Sequence, residues 1–188
     1  MQTIDALTTR YSAKALFEPA PDEAALQLIF ESAVRAPDHG RLRPWRFVVV
    51  RGAARERFGE LLAQHLRRTH AAASEETLQR ERAKALRAPL MVVVAAHCNP
   101  EVKIPLIEQQ LSAAAAAQSM MLGAFALGFN AMWKTGSAAY DPALKQALGL
   151  AAGDAVVGFL YIGTEAARTP PPGARPWADL VSYWGEAT

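Results

Sequence analysis

The segment from Arg35 to Val50, RAPDHGRLRPWRFVVV, joins a helix end, a cationic loop, a tryptophan and a strand. Arg35, His39, Arg41 and Arg43 stand beside Pro37 and Pro44, which makes the loop both positive and stiff. Such a loop suits a planar, anionic ligand: the cations meet its charge, and the prolines order the backbone before anything binds. Two further polar clusters follow apolar elements. Arg10 and Ser12 flank Tyr11 near the start of the chain, and Lys134, Thr135 and Gly136 follow a short apolar run. A guanidinium with a neighbouring hydroxyl is a phosphate-binding pair. Each residue also has a plainer role open to it. Arg10 and Arg35 can be helix C-terminal charges, His39 a turn residue and Trp133 a packing residue.

Much reactive machinery is missing from the sequence. No G-x-G-x-x-G follows a strand, and no G-x-S-x-G elbow is present. Gly123 to Gly128 has the spacing that opens a phosphate loop, but Phe129 and Asn130 stand where Lys and Ser/Thr are required. His39, His65, His70 and His97 are scattered and form no metal-ligand pattern. His65 and His70 read as surface helix residues, and His97 as a strand-end residue with a local hydrogen bond. A protein whose chemistry sits on a bound cofactor needs few reactive side chains, because it supplies binding, orientation and electrostatics. A flavin would ask for hydrogen bonds at its pyrimidine edge and a positive charge near N1 and O2, which Arg35 or Lys134 can provide.

The chain has 188 residues, enough for one well-buried core and short for two full domains. Its net charge of +2, from 20 basic and 18 acidic residues, gives no sign of nucleic-acid binding. The one cysteine, Cys98, excludes an internal disulfide and fits a reducing compartment. The N-terminal MQTIDALTTR lacks a signal peptide's apolar run, and Leu90 to Ala96 is too short to span a bilayer. A soluble, cytoplasmic protein is expected. Trp45, Trp133, Trp177 and Trp184 are spread along the chain, and they belong either in the core or at a subunit interface.

The elements that must position the clusters follow from periodicity. Helices are predicted at Ile4–Thr9, from Asp22 to Pro37, at Ala53–Thr69, at Pro105–Leu127 with an alanine-rich middle, and at Asp141–Leu148. Ser74–Leu86 reads as a charged, exposed and mobile helix that covers something. Strands are predicted at Trp45–Arg51, Leu90–Cys98, Asn130–Lys134 and Val156–Gly163. Interleaved strands and helices favour α/β, whereas the small number of strands favours α+β. On this pattern the two stay level. The run Thr169-Pro170-Pro171-Pro172-Gly173 cannot be helical and reads as an extended arm.

Together the clusters resemble the nitroreductase family, in particular its small bacterial members. The resemblance is carried by Arg10-Tyr11-Ser12-Ala13, by RAPDHGRLRPWRFVVV and by Arg87-Ala88-Pro89-Leu90. Gly128-Phe129 followed by Trp133-Lys134-Thr135-Gly136, and Val157 to Thr164, complete it. It implies a single α+β domain over 1–188, with a central, mostly antiparallel sheet flanked by helices. It also implies an intertwined homodimer with FMN at the interface, the arm at 165–188 wrapping around the partner subunit. By the same resemblance Arg10, Tyr11 and Ser12 hold the FMN phosphate and ribityl side, and Arg35 and His39 reach the flavin from the other subunit. Trp133, Lys134, Thr135 and Gly136 lie along the flavin, and Gly123, Ala124, Phe125, Ala126, Leu127 and Gly128 are associated with the nicotinamide of NAD(P)H.

The chain departs from the family pattern in places. Lys134-Thr135 stands where relatives often have Arg-Ser, which replaces a bidentate fork with a point charge. Tyr11 stands where a second arginine is common, and Arg168 is the one basic candidate soon after the last predicted strand. The implied activity is FMN-dependent hydride transfer from NAD(P)H to a nitroaromatic, quinone or similar acceptor by a ping-pong route. A flavin carrier or sensor without efficient turnover is the alternative.

Overall fold

Strict alternation along one strand sets the layers of the molecule. The computed structural model describes residues 2–167, 170, 173 and 175–185. Its strands are β1 (Trp45–Arg51), β2 (Leu90–Ala96), β3 (Asn130–Lys134) and β4 (Ala155–Gly163), in the sheet order β1-β2-β4-β3. All three pairings are antiparallel, with Val48 opposite Val93, Val93 opposite Phe159, and Trp133 opposite Leu160. The architecture is therefore α+β, which resolves the choice left level by the hydrophobic pattern.

Successive residues of β2 point to opposite faces. Leu90, Val92 and Val94, with Leu160 and Ile162 of β4, lie in one core with Ile29, Ala33, Ala116, Ala117 and Met120. Those partners come from helices α2 (Glu23–Ala33) and α5 (Leu106–Ala126). Met91, Val93 and Ala95, with Phe159 and Tyr161, lie in a second core with Phe58, Leu62 and Leu144. That face is covered by α3 (Ala54–Thr69) and α6 (Pro142–Ala147), and the rings of Phe58 and Phe159 meet edge to face, 5.5 Å apart. Buried on both sides, β2 is a continuous apolar run for a physical reason: it has no solvent face.

Caps fix the helix ends near the polar clusters. The Ala25 N–H donates to Asp22 Oδ1 at 2.8 Å, and the Ala143 N–H donates to Asp141 Oδ1 at 3.0 Å with Pro142 in the first turn. Gly128 ends α5 with φ +94°, a conformation that strains any residue with a Cβ.

Several expectations are corrected. His65 is buried on α3, its ring held between Asp141 and Ser137, because the segment after β3 folds over that side of the helix. The charged helix α4 (Glu75–Ala83) packs on α3 through buried Leu78 and a close approach of the Arg82 backbone to Gly59. Arg82 pairs with both Glu75 and Glu60, so this element is tied down. His97 bonds Asp154, far along the chain, and its bond is therefore not local. Trp45 and Trp133 are partly buried, while Trp177 and Trp184 are exposed. Arg168, Thr169, Pro171 and Pro172 lie outside the described residues. Among those described, no helix is long and apolar enough to cross a membrane.

Candidate functional site

The first cluster lies along the outer edge of β3. Ser12 forms a parallel bridge with Ala131, and Phe17 an antiparallel one with Thr164. Ser12 and Lys14 are exposed, while Tyr11 and Ala13 turn inward. This is the period of two expected of extended chain. Tyr11 donates its hydroxyl to Glu165 Oε2 at 2.5 Å, and its ring stands edge-on to Phe125. That side chain thus helps fasten the fold.

Arg10 behaves differently from its neighbours. Its Nη1 is buried and has no hydrogen-bond partner among the described residues. Burial lowers the pKa of the guanidinium, and the positive charge of Arg175 lowers it further. An arginine stays charged all the same. Two guanidinium groups near each other, one with an unsatisfied donor, make a place for an anion.

At the far end of β3, Lys134, Thr135 and Gly136 are all exposed, and Gly136 has φ +144°. Lys134 lines an open cleft of about 530 Å³ with Lys14 and Arg87. It also borders a smaller cavity of about 170 Å³ with Thr135, Gly136, Ser137, His65 and Tyr161. Trp133, by contrast, donates its indole N–H to the Val157 carbonyl at 3.3 Å and lies against Gly158. These contacts pack the half-buried indole against β4.

The second cluster lies at the opposite edge of the sheet. Arg35 lines an open cleft of about 950 Å³ with Arg41, Arg43, Arg46, Trp45 and Phe47. The loop is held at both prolines: Ser112 donates its hydroxyl to the Pro37 carbonyl at 2.7 Å, and the His97 N–H donates to the Pro44 carbonyl at 2.6 Å. Arg41 and Arg43 have positive φ, a strained conformation that persists because Asp38 accepts the Arg43 N–H. His39 pairs through Nδ1 with Glu108 of α5 at 2.6 Å.

The Gly123–Gly128 segment closes α5. Ala124 and Phe125 are buried, and Gly123 abuts Ser32 of α2. Ala124 and Phe125 are thus packed inside the fold, whereas Ala126, Leu127 and Gly128 are exposed.

The two clusters do not meet within one chain. Two strands separate β1 from β3, and adjacent strands lie about 4.8 Å apart. Along α5, the contact of His39 is at Glu108 and that of Tyr11 is at Phe125, roughly 26 Å away at 1.5 Å per residue.

The model of the nitroreductase family matches residues 7–164, which include both clusters. The chain belongs to the nitroreductase family. It is 38% identical over 164 residues to the Escherichia coli (strain K12) protein named "Putative NAD(P)H nitroreductase YdjA", covering 87% of this chain and 88% of that one. Among solved structures it is similar to a nitroreductase-like family protein from Bacillus cereus, with TM-score 0.82 and 22% identity over 99% of this chain and 97% of that one. It is also similar to a Bacteroides fragilis nitroreductase solved with bound FMN, with TM-score 0.73 and 20% identity over 97% and 98% of the two chains. These two likenesses show that the nitroreductase fold is shared.

Within this nitroreductase fold, Lys14, Arg87, Ser137 and Arg175 join the candidate residues although sequence reasoning passed over them. Lys14 had a signal, since it continues the alternation of Ser12. Arg175 had none: it follows the proline run, and only the fold brings it near Arg10.

Proposed function

We propose that two copies of this chain hold FMN between them and use it to move a hydride from NAD(P)H to a nitroaromatic, quinone or similar acceptor. The carrying observation is Arg10, whose buried Nη1 has no partner among the described residues and whose neighbour Arg175 is a second cation. The donor set fits the cofactor. Arg10, Arg175 and the exposed hydroxyl of Ser12 would hold the phosphate and ribityl end. Lys14 and Lys134, which line one cleft, would place positive charge at the pyrimidine edge, with Thr135 and Gly136 beside it. Bound there, FMN supplies the hydride chemistry, and the chain binds, orients and excludes water.

Arg35 and His39 complete the site from the second copy, because one chain holds the two clusters apart. Exposed Ile4, Leu7, Ile107 and Leu111 provide apolar surface for that partner, and Trp177, Leu180 and Trp184 on the C-terminal arm provide more. Nicotinamide and acceptor would use one open face in turn, which gives ping-pong kinetics. A single cysteine is compatible with a reducing compartment such as the cytoplasm.

The test is the absorption spectrum of the purified protein with added FMN, followed by anaerobic addition of NADH or NADPH. A flavin spectrum that bleaches rapidly supports the proposal and removes the carrier reading. A protein that stays colourless with FMN and oxidises no NAD(P)H overturns it.

A further inference from the structure

We propose that Ser137, His65 and Asp141 form a relay that delivers a proton to the electron acceptor in the cavity beside Lys134. The inference rests on the hydride-transfer reading above and extends it to the proton that reading leaves without a source. His65 is 8% exposed, its Nδ1 lies 3.1 Å from Asp141 Oδ2, and its Nε2 lies 2.9 Å from Ser137 Oγ. A carboxylate only accepts, so Nδ1–H donates to Asp141 and Nε2 is directed at the serine. Ser137 is exposed and borders the small cavity that Lys134, Thr135 and Gly136 also line. The chain of hydrogen bonds therefore runs from a buried acid to an open hydroxyl at the candidate site.

Asp141 orients and does not transfer. Arg68 and the Ala143 N–H also bond its carboxylate, which keeps it ionised and fixed. Arg68 holds the same carboxylate oxygen, so Asp141 is not committed to His65 alone. The relay assigns Ser137 to proton delivery and not to nucleophilic attack.

The step balances. With bound FMN supplying the hydride, a quinone would need one further proton to become the quinol, and Ser137 Oγ would donate it. When His65 carries a proton on each ring nitrogen, the Nε2 proton moves to Oγ as the serine proton leaves, and solvent acid returns that proton after the product departs. Ser137 is the catalytic donor in this scheme; His65 and Asp141 are positioning residues. Tyr161 is the competing donor, because it lines the same cavity and burial holds its phenol protonated.

Two measurements test the relay. In flavin-free protein, nitrogen NMR of His65 should show Nε2 moving in Ser137→Ala while Nδ1 stays bonded to Asp141; an unmoved Nε2 overturns the proposal. In FMN-loaded protein reduced by NADH or NADPH, reoxidation by p-benzoquinone should slow about ten- to hundred-fold in Ser137→Ala. Reoxidation by ferricyanide, which takes electrons without protons, should hold within two-fold. Equal slowing with both oxidants, no slowing, slowing only in Tyr161→Phe, or labelling of Ser137 by a fluorophosphonate would each overturn the relay. A wild type that binds FMN but is not bleached by NADH or NADPH fails the parent reading instead and takes the relay with it.

Discussion

Arg175 lies near Arg10, and its positive charge adds to the burial that already destabilises the Arg10 guanidinium, whose Nη1 has no partner among the described residues. A fold that keeps such a pair bears a cost in the ligand-free state that a bound anion removes.

Replacing Arg10 should therefore change stability and binding in opposite directions. Arg10→Met is expected to raise the melting temperature of the flavin-free protein by roughly 2–4 °C, the shift that about 1 kcal/mol produces in a chain of this size. The same change should weaken FMN about ten- to hundred-fold, the loss of one charge-assisted contact. Thermal melts with and without FMN, and a flavin fluorescence titration, measure both.

Gly158 faces the Trp133 indole so closely that a Cβ would stand 2.1 Å from Nε1. Gly158→Ala should force β3 and β4 apart or turn the tryptophan, and destabilise the fold by about 1–3 kcal/mol. Urea unfolding followed by tryptophan fluorescence would register this as a lower midpoint with an unchanged slope.

Asp141 makes a pH prediction. Burial alone would raise its carboxyl, but the Ala143 N–H, Arg68 and His65 outweigh that and hold it below the ordinary value. The unfolded carboxyl titrates near about 3.9. A folded value below it means that the stabilisation is full above the unfolded value and disappears as pH falls through the folded one. Asp141→Asn should accordingly be less stable than wild type at neutral pH, with the gap closing as pH falls below the unfolded carboxyl's value. Melting temperatures from pH 2.5 to 7 would show parallel curves if the carboxylate were not the cause.

Ile107 and Leu111 are each 58% exposed, on the turns of α5 that follow its Leu106 start. Glutamate at both positions should break a dimer that buries this face while leaving the monomer folded, because neither side chain serves either core. Light scattering and circular dichroism separate those outcomes, and FMN binding should be lost together with the dimer.

Much of the fold was legible because burial writes itself into sequence. The two-sided burial of β2 appears as Leu90-Met91-Val92-Val93-Val94, and β1 and β3 were read to their terminal residues. Strand pairing was not legible, since antiparallel and crossover connections leave the same hydrophobic runs. Candidate site residues could be picked out where charge stands at an element end, as with Arg10, Arg35 and Lys134. It was obscure where distant segments supply the partner. Nothing local to His65 announces Asp141 or Ser137, and nothing local to Tyr11 announces that Glu165 and Phe125 turn it inward.

The central claim is that each flavin site draws Arg10 from one copy and Arg35 from the other. The most direct test mixes two defective variants, Arg10→Ala and Arg35→Ala, unfolds them together and refolds them. If the site is shared, each mixed dimer contains one intact site and one doubly defective site. Random pairing makes half the dimers mixed, so about a quarter of the wild-type number of tight FMN sites should return. A mixture that binds no better than its two parents, or a wild-type monomer that binds FMN at full strength, would contradict the account.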